Sequence, residues 1–310
     1  MTRSLLFVGD VSWDITLEGA RVPESDEKVI VPRLEEHVGG VIANAAVAAA
    51  RAGASTRGLF RFGSDWRGHA ASKALAETGV ALSTATVPGS TALALIALAD
   101  DGEKRLWLYF GQSMYPHLSQ VDSCELGDCS WVHTAIYDAT AAAHLVNRCR
   151  QAHIPWSIDL EPATFSDGVG GLSDHLRGAA IVFCNDAARN QLGPDAIDQL
   201  MALGAQRVVR TRGALGAEFY DLTQGTSAVI IPPPKLAAID TTGAGDCLAG
   251  WFVNGLAAGE DPRTALERAV TAASLSCTKF GGQTSFPTAG ELESYLGVSA
   301  GARLPSDSRR

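Results

Sequence analysis

The chain has 310 residues, 46% of them hydrophobic and 19% charged, with a formal net charge of −9. Those values fit a globular protein with one large core, and the negative charge argues against nucleic acid or an anionic membrane as the main partner. The apolar run Leu5–Val8 is too short for a secretory leader, the Ala-rich stretches break before membrane-spanning length, and the six cysteines lack metal-ligand spacing, so a cytoplasmic protein with reduced thiols is expected.

In chain order, Leu5–Val8 reads as a buried strand. Residues about 12–36 then break the rhythm, with Ile15, Leu17, Val29, Val31 and Leu34 set among charges and prolines. Gly39, Gly40 and Asn44 lead into the Ala-rich run Ala45–Ala52. Residues about 90–110 contain two β-rich runs, Thr91–Ala99 and Arg105–Phe110, around the turn Asp100-Asp101-Gly102, which is a hairpin pattern. Further on, the apolar segments Trp131–Ile136, Pro155–Ile158, Ile181–Cys184 and Arg207–Arg210 read as strands. The segments Ala139–Ala152, Gly193–Leu203 and Pro262–Ser276 read as helices, the last with Asp261 as its cap and Pro262 at its first position. This alternation predicts a mainly parallel sheet covered on both faces. A single α/β domain is expected over residues 1–298, followed by a polar, flexible tail over 299–310.

The chemistry concentrates in Asp240-Thr-Thr-Gly-Ala-Gly-Asp246. Leu248, Trp251, Phe252, Gly255 and Leu256 follow at i, i+3, i+4, i+7 and i+8, which makes Gly243–Asp246 the first turn of a helix. A helix start offers unpaired N–H groups and a positive dipole end to phosphate, and glycines at 243 and 245 let phosphate approach the backbone. Asp246 does not suit a simple phosphate cradle, because a fixed carboxylate repels phosphates. It suits a base that takes a proton from an attacking hydroxyl, so the segment points to phosphoryl transfer to an alcohol. The alternative is a plain strand-to-helix turn in which Asp246 only complements the dipole. A P-loop is excluded because no Gly-Lys pair exists, and a dinucleotide fingerprint fails at Leu248, where a third glycine is required.

Asp240–Asp246 resembles the C-terminal signature of the ribokinase-like (PfkB) carbohydrate kinases. Gly39-Gly40-Val-Ile-Ala-Asn44 with the Ala-rich run resembles that family's sugar-binding motif, and Val8-Gly9-Asp10 with Asp14 resembles its opening, so the likeness spans roughly residues 4–297. It implies a ribokinase-like three-layer α/β/α fold with a mainly parallel central sheet. It also implies a small β lid, formed by about 12–36 and 90–110, that closes over a sugar and pairs in a homodimer. The alternative is an edge hairpin extending the main sheet.

On the same resemblance, Asp246 is the base and Gly243, Ala244 and Gly245 form the anion hole, while Asp14, Gly39, Gly40 and Asn44 bind a small sugar or sugar derivative. Without it, Asn44 is a residue of a helix's first turn and Asp14 a solvated acid. Asn185, Thr211, Gly213, Gly216 and Gly282 are assigned to ATP, and Asp240 with Ser285 to a monovalent cation such as potassium (K+). Phe280 reads either as part of the adenine loop or as core. The family's Asn-x-x-Glu helps to hold magnesium (Mg2+), but here Asn185 is followed by Asp186, Ala187 and Ala188. Asp186 or Glu161 substitutes, or phosphates and water hold the ion. The expected activity is ATP-dependent phosphorylation of a hydroxyl, a primary one, of the sugar, with neither nucleic acid nor membrane as partner. A nucleoside kinase using Trp13, Trp107 and Tyr109 for stacking, an acidic acceptor paired with Arg33, Arg61 or Arg105, and a sugar-binding protein with impaired chemistry are the alternatives.

Overall fold

The computed structural model describes residues 3–99, 104–165, 168–224 and 228–302. The expected hairpin turn Asp100–Gly102 and residues 303–310 of the tail lie outside them. Strand β1 (Ser4–Val8) is buried along its whole length, with Leu5 and Phe7 entering one core and Leu6 and Val8 the other. Neighbouring residues of a strand point to opposite faces, so a strand covered on both sides must be apolar throughout.

β1 lies inside a nine-stranded sheet. On one side it pairs in parallel with β4 (Thr56–Gly63), and β4 pairs with β5 (Ala81–Val87). On the other side come β8 (Cys129–Ala135), β9 (Trp156–Leu160), β10 (Ile181–Asn185) and β11 (Arg207–Thr211), all parallel. The antiparallel strands β12 (Ala217–Asp221) and β13 (Val229–Ile231) close that edge. The chain thus winds away from β1 in both directions, and the crevice where it does so, at the carboxyl ends of β1 and β8, is where open α/β sheets bind ligands.

Helices α1 (Val41–Arg51), α8 (Ala244–Ala257) and α9 (Pro262–Ser276) cover the face that receives Leu5 and Phe7. The opposite face is covered by α3 (Leu118–Ser123), α4 (Ala139–Gln151), α5 (Ser173–Leu176), α6 (Asp186–Leu192) and α7 (Ala196–Ala202). Helix α2 (Trp66–Ala76) packs beside β4, and α10 runs from Ala289 to Ala302. The helix expected from Gly193 starts at Ala196, because Gly193, at φ 97°, closes α6 instead. The cap at Asp261 is formed as expected, its carboxylate accepting from the Thr264 amide at 3.1 Å. Among the described residues no helix is long and apolar enough to cross a membrane.

The two irregular regions form a second, four-stranded sheet, ordered β3 (Arg33–Gly39), β2 (Ser12–Gly19), β6 (Ala92–Ala99) and β7 (Lys104–Tyr109). It is separate from the main sheet, so the edge-hairpin alternative does not hold. Its root is tied down at Ser113, whose hydroxyl donates to the Val11 carbonyl and accepts from the Ala92 amide, both at 2.7 Å. Trp13 also packs edge-on against Trp66 of α2, with ring centroids 5.1 Å apart.

Candidate active site

Helix α8 begins at the crevice. Gly243 is its cap in the left-handed region, at φ 73°, and a Cβ there would press on the Phe286 ring at 3.0 Å, so glycine is required twice over. The first-turn amides have no carbonyl within the helix to serve them, although that of Ala244 donates to Thr241 at 3.3 Å. Asp246 lies in this turn and accepts a hydrogen bond of 2.7 Å from Asn44 Nδ2 on α1. Gln283 Nε2 donates to Asn44 Oδ1 at 2.9 Å, which fixes the amide so that its N–H side faces Asp246. Asn44 is therefore more than a residue of a helix's first turn. Gln283 lay within the loop expected to line the adenine, but nothing in the sequence marked it as the partner of a residue 239 positions away.

Other acids converge at the ends of the parallel strands. Asp10 follows β1 and accepts from the amides of Val41 and Ile42, at 2.7 and 3.0 Å, thereby capping α1. Tyr137 follows β8, Asp159 is the penultimate residue of β9 and Glu161 comes just after that strand. Burial pushes Asp246 up to about 8, with Glu161, Asp10 and Asp14 adding repulsion against the pull of the Asn44 bond. Burial also raises Asp10 to about 6 despite its amide donors, and holds Asp159 far above the ordinary carboxylate range together with Glu161, Asp246 and Asp10. Tyr137 is raised by burial and by the same four carboxylates, and its ring meets Phe110 edge-on at 6.1 Å. Asp10, Asp159 and Tyr137 were not assigned site roles from the sequence. Their shared position, within two residues of the carboxyl end of a parallel strand, is the signal that could have found them.

The lid supplies Asp14, which is buried and not the solvated acid of the alternative reading. Its Oδ1 accepts from Ser12 Oγ at 2.5 Å, and a Cβ at Gly39 would fall 2.1 Å from its Oδ2, so the carboxylate can lie there only because residue 39 is glycine. Gly40 caps α1. On the nucleotide side, Asn185 caps α6 through a bond from the Ala188 amide at 2.8 Å, and Thr211 ends β11 before the turn Gly213–Leu215, which Gly216 closes. Asp186 is held by Arg210 at 2.6 Å, and the same arginine reaches Glu218 at 3.1 Å.

Asp240 accepts from the amides of Thr242 and Gly281, both at 2.9 Å. Burial works to raise its pKa, but these bonds win and hold it below the usual range. Ser285 donates to the Gly282 carbonyl at 2.8 Å. Phe280 is 51% exposed beneath the Arg33 guanidinium, 4.4 Å from its ring centroid, so it is not core. The cysteines are reduced, and Cys247, next to Asp246, is fully buried.

A carboxylate at a glycine-capped helix start, set in the crevice of a parallel sheet beneath a β lid, defines a phosphoryl-transfer enzyme of the α/β class. Residues 2–289 match the family described as pfkB family carbohydrate kinase. A ribokinase of Bacillus subtilis (strain 168) is 30% identical over 304 residues, covering 95% of this chain and 99% of that one. An ATP-dependent ribose-1-phosphate kinase of Halopiger xanaduensis is 26% identical over 295 residues, with coverage of 94% and 97%. The ribokinase structure of Giardia lamblia shares the fold, with a TM-score of 0.84 at 18% identity over 96% of this chain and 100% of that one. The chain belongs to the pfkB family of carbohydrate kinases and is an ATP-dependent sugar kinase. Kinases of this family use ATP with a divalent metal.

Proposed function

We propose that the protein transfers the γ-phosphoryl group of ATP to a primary hydroxyl of an uncharged sugar or sugar derivative, with Asp246 as the base. The observation that carries this reading is the Asn44–Asp246 bond of 2.7 Å, which joins the sugar-binding motif to the anion-binding helix start. Asp246 takes the hydroxyl proton, and the first-turn amides around Gly243, Ala244 and Gly245 stabilise charge on the moving phosphoryl group. Asp14, the backbone at Gly39 and Gly40, and Asn44 bind the acceptor. Asn185, Thr211, Gly213, Gly216 and Gly282 line the nucleotide.

Among the described residues no group of three or more His, Cys, Asp or Glu is arranged to hold a metal ion. Magnesium fits such a site, since it keeps several waters and rides on nucleotide phosphates. Glu161, which faces the buried acids, is the better substitute for the missing glutamate, because Arg210 already neutralises Asp186. Magnesium would supply positive charge to the phosphates and favour the ionised form of these carboxylates. Asp240 and Ser285 are the residues proposed to hold potassium. The protein is proposed to be cytoplasmic.

The neutral acceptor follows from where the arginines go. Arg33 is spent on Glu18 and Glu35 and on the Phe280 ring, and Arg61 Nε donates to the Gln112 carbonyl. Arg105 is in register with Ala97, three residues beyond Ala94, which faces Asp14, and so lies about 10 Å along the lid. A nucleoside is the second reading, favoured by the Phe110–Tyr137 pair beside the buried acids, which offers an aromatic wall. Trp107 and Tyr109 do not serve it, because strand alternation sets them on the lid face opposite Asp14.

ADP formation with ATP and magnesium, measured against ribose, fructose, inosine, ribose-1-phosphate and 2-dehydro-3-deoxygluconate, tests the reading. The highest kcat/KM is expected with a neutral acceptor. A higher value with either anionic compound would contradict it.

A further inference from the structure

Antiparallel pairing sets His37 of β3 directly opposite Asp14 of β2, so both side chains rise from the same face of the lid. Ser12 grips Oδ1 of the Asp14 carboxylate, while His37 Nε2 stands 3.9 Å from Oδ2, beyond hydrogen-bond reach. That ring nitrogen is buried and has no hydrogen-bond partner among the described residues, and a desolvated polar group left unpaired is costly. His37 also lines a cavity of about 300 Å³ with Trp13, Val38 and Gln283, which leaves space beside the ring. Gln283 in turn leads through Asn44 to Asp246. An unpaired donor stopped about 1 Å short of a carboxylate is an arrangement that a small movement of the lid would complete.

We propose that His37 is a positioning residue for the acceptor site: when the acceptor binds, its Nε2–H donates to Asp14 Oδ2, so that Ser12 and His37 clamp the carboxylate and aim its remaining lone pairs at the acceptor's hydroxyls. The inference rests on Asp14 binding the acceptor, as proposed above, and it adds a residue that none of the sequence motifs contains. It also gives a reason for the close fit at residue 39, where the Asp14 carboxylate must lie against bare backbone to stand in line with the imidazole. Because His37 acts through Asp14, its removal should be felt in acceptor binding and not in the transfer step.

The test uses the full-length protein and whichever of ribose, fructose and inosine supports the fastest ADP formation. His37→Phe, which keeps a ring and loses the donor, is expected to raise the acceptor KM about tenfold, the worth of one hydrogen bond to a charged group, with kcat and the ATP KM within about twofold. His37→Gln, whose amide nitrogen falls near the position of Nε2, should restore most of the acceptor KM, and His37→Asn, whose amide is too short, should not. In an Asp14→Asn background, His37→Phe should add little, since the group that it holds has lost its charge. An unshifted acceptor KM in His37→Phe, equal values for the Gln and Asn variants, or an equal rise in the ATP KM would each overturn the inference. Should His37→Phe not fold, the comparison of the two amide variants decides alone. Wild-type protein that forms no ADP with any of the three acceptors would overturn the neutral-acceptor kinase reading and this inference with it, whereas normal wild-type turnover with unshifted variants overturns this inference only.

Discussion

Asp246 must lose its proton to act as a base, yet in the nucleotide-free protein its surroundings favour the protonated form, with a pKa pushed up to about 8. A group whose folded pKa lies above its unfolded value near 3.8 holds a proton that the unfolded chain has already released. Its contribution to stability is therefore complete at low pH and is lost as pH rises from about 4 towards 8, and Asp10, raised to about 6, adds a smaller loss of the same sign. Asp246→Asn removes the larger part. Nucleotide-free Asp246→Asn should thus be more stable than wild type at pH 8 by a few kcal/mol at most, and nearly equal to it at pH 4. Thermal unfolding across that range checks this, and a difference in Tm that does not grow with pH would refute it. Burial of several acids side by side disfavours their ionised forms, and cations arriving with ATP would offset that cost.

At the level of elements, what places Asn44 against Asp246 is the close crossing of α1 and α8. Gly250 makes that approach possible, since a Cβ there would fall 2.3 Å from the Ala45 carbonyl and 2.8 Å from the Ala48 Cβ. The Ala-rich run of α1, which the sequence displays without explaining, is the matching small-residue surface. Gly250→Val should force the helices apart, destabilise the protein by about 1–3 kcal/mol and lower kcat through loss of the Asn44 contact. Wild-type stability and turnover in that variant would show that the crossing has slack. The same crossing shows where sequence reading stops. The start of α8, the cap of α9 and five of the parallel strands could be read from local periodicity and cap residues. β4 escaped because Arg57, Gly58 and Arg61 interrupt its apolar run, and β5 because it is a string of Ala, Ser and Thr around Leu82. The bonds from Gln283 and Asp10 to α1 escaped because nothing local encodes a contact between distant residues.

For the molecule as a whole, the separate lid sheet presents one face to the site and turns the other away. Trp107 and Tyr109 on the outward face are 54% and 56% exposed, and Leu34, on the same face at the opposite edge of the sheet, is 57% exposed. An apolar face of this kind fits a contact between two lids, the homodimer that the family resemblance implies. Sedimentation equilibrium is expected to give about twice the 32.4 kDa chain mass for wild type and a single chain for Trp107→Glu. A monomeric wild type would remove the lid contact from the account. The fold class and the two-part site were legible because three motifs stand in order along the chain, whereas the outward direction of Trp107 and Tyr109 needed the register of β6 and β7, which no periodicity supplies. What joins these scales is the claim that one carboxylate, delivered by α8 and oriented by α1, deprotonates the acceptor. Turnover of Asp246→Asn at saturating ATP, magnesium and acceptor, measured alongside acceptor binding, tests it most directly. The account predicts a kcat lower by about 100-fold or more with binding retained, and a kcat close to wild type would contradict it.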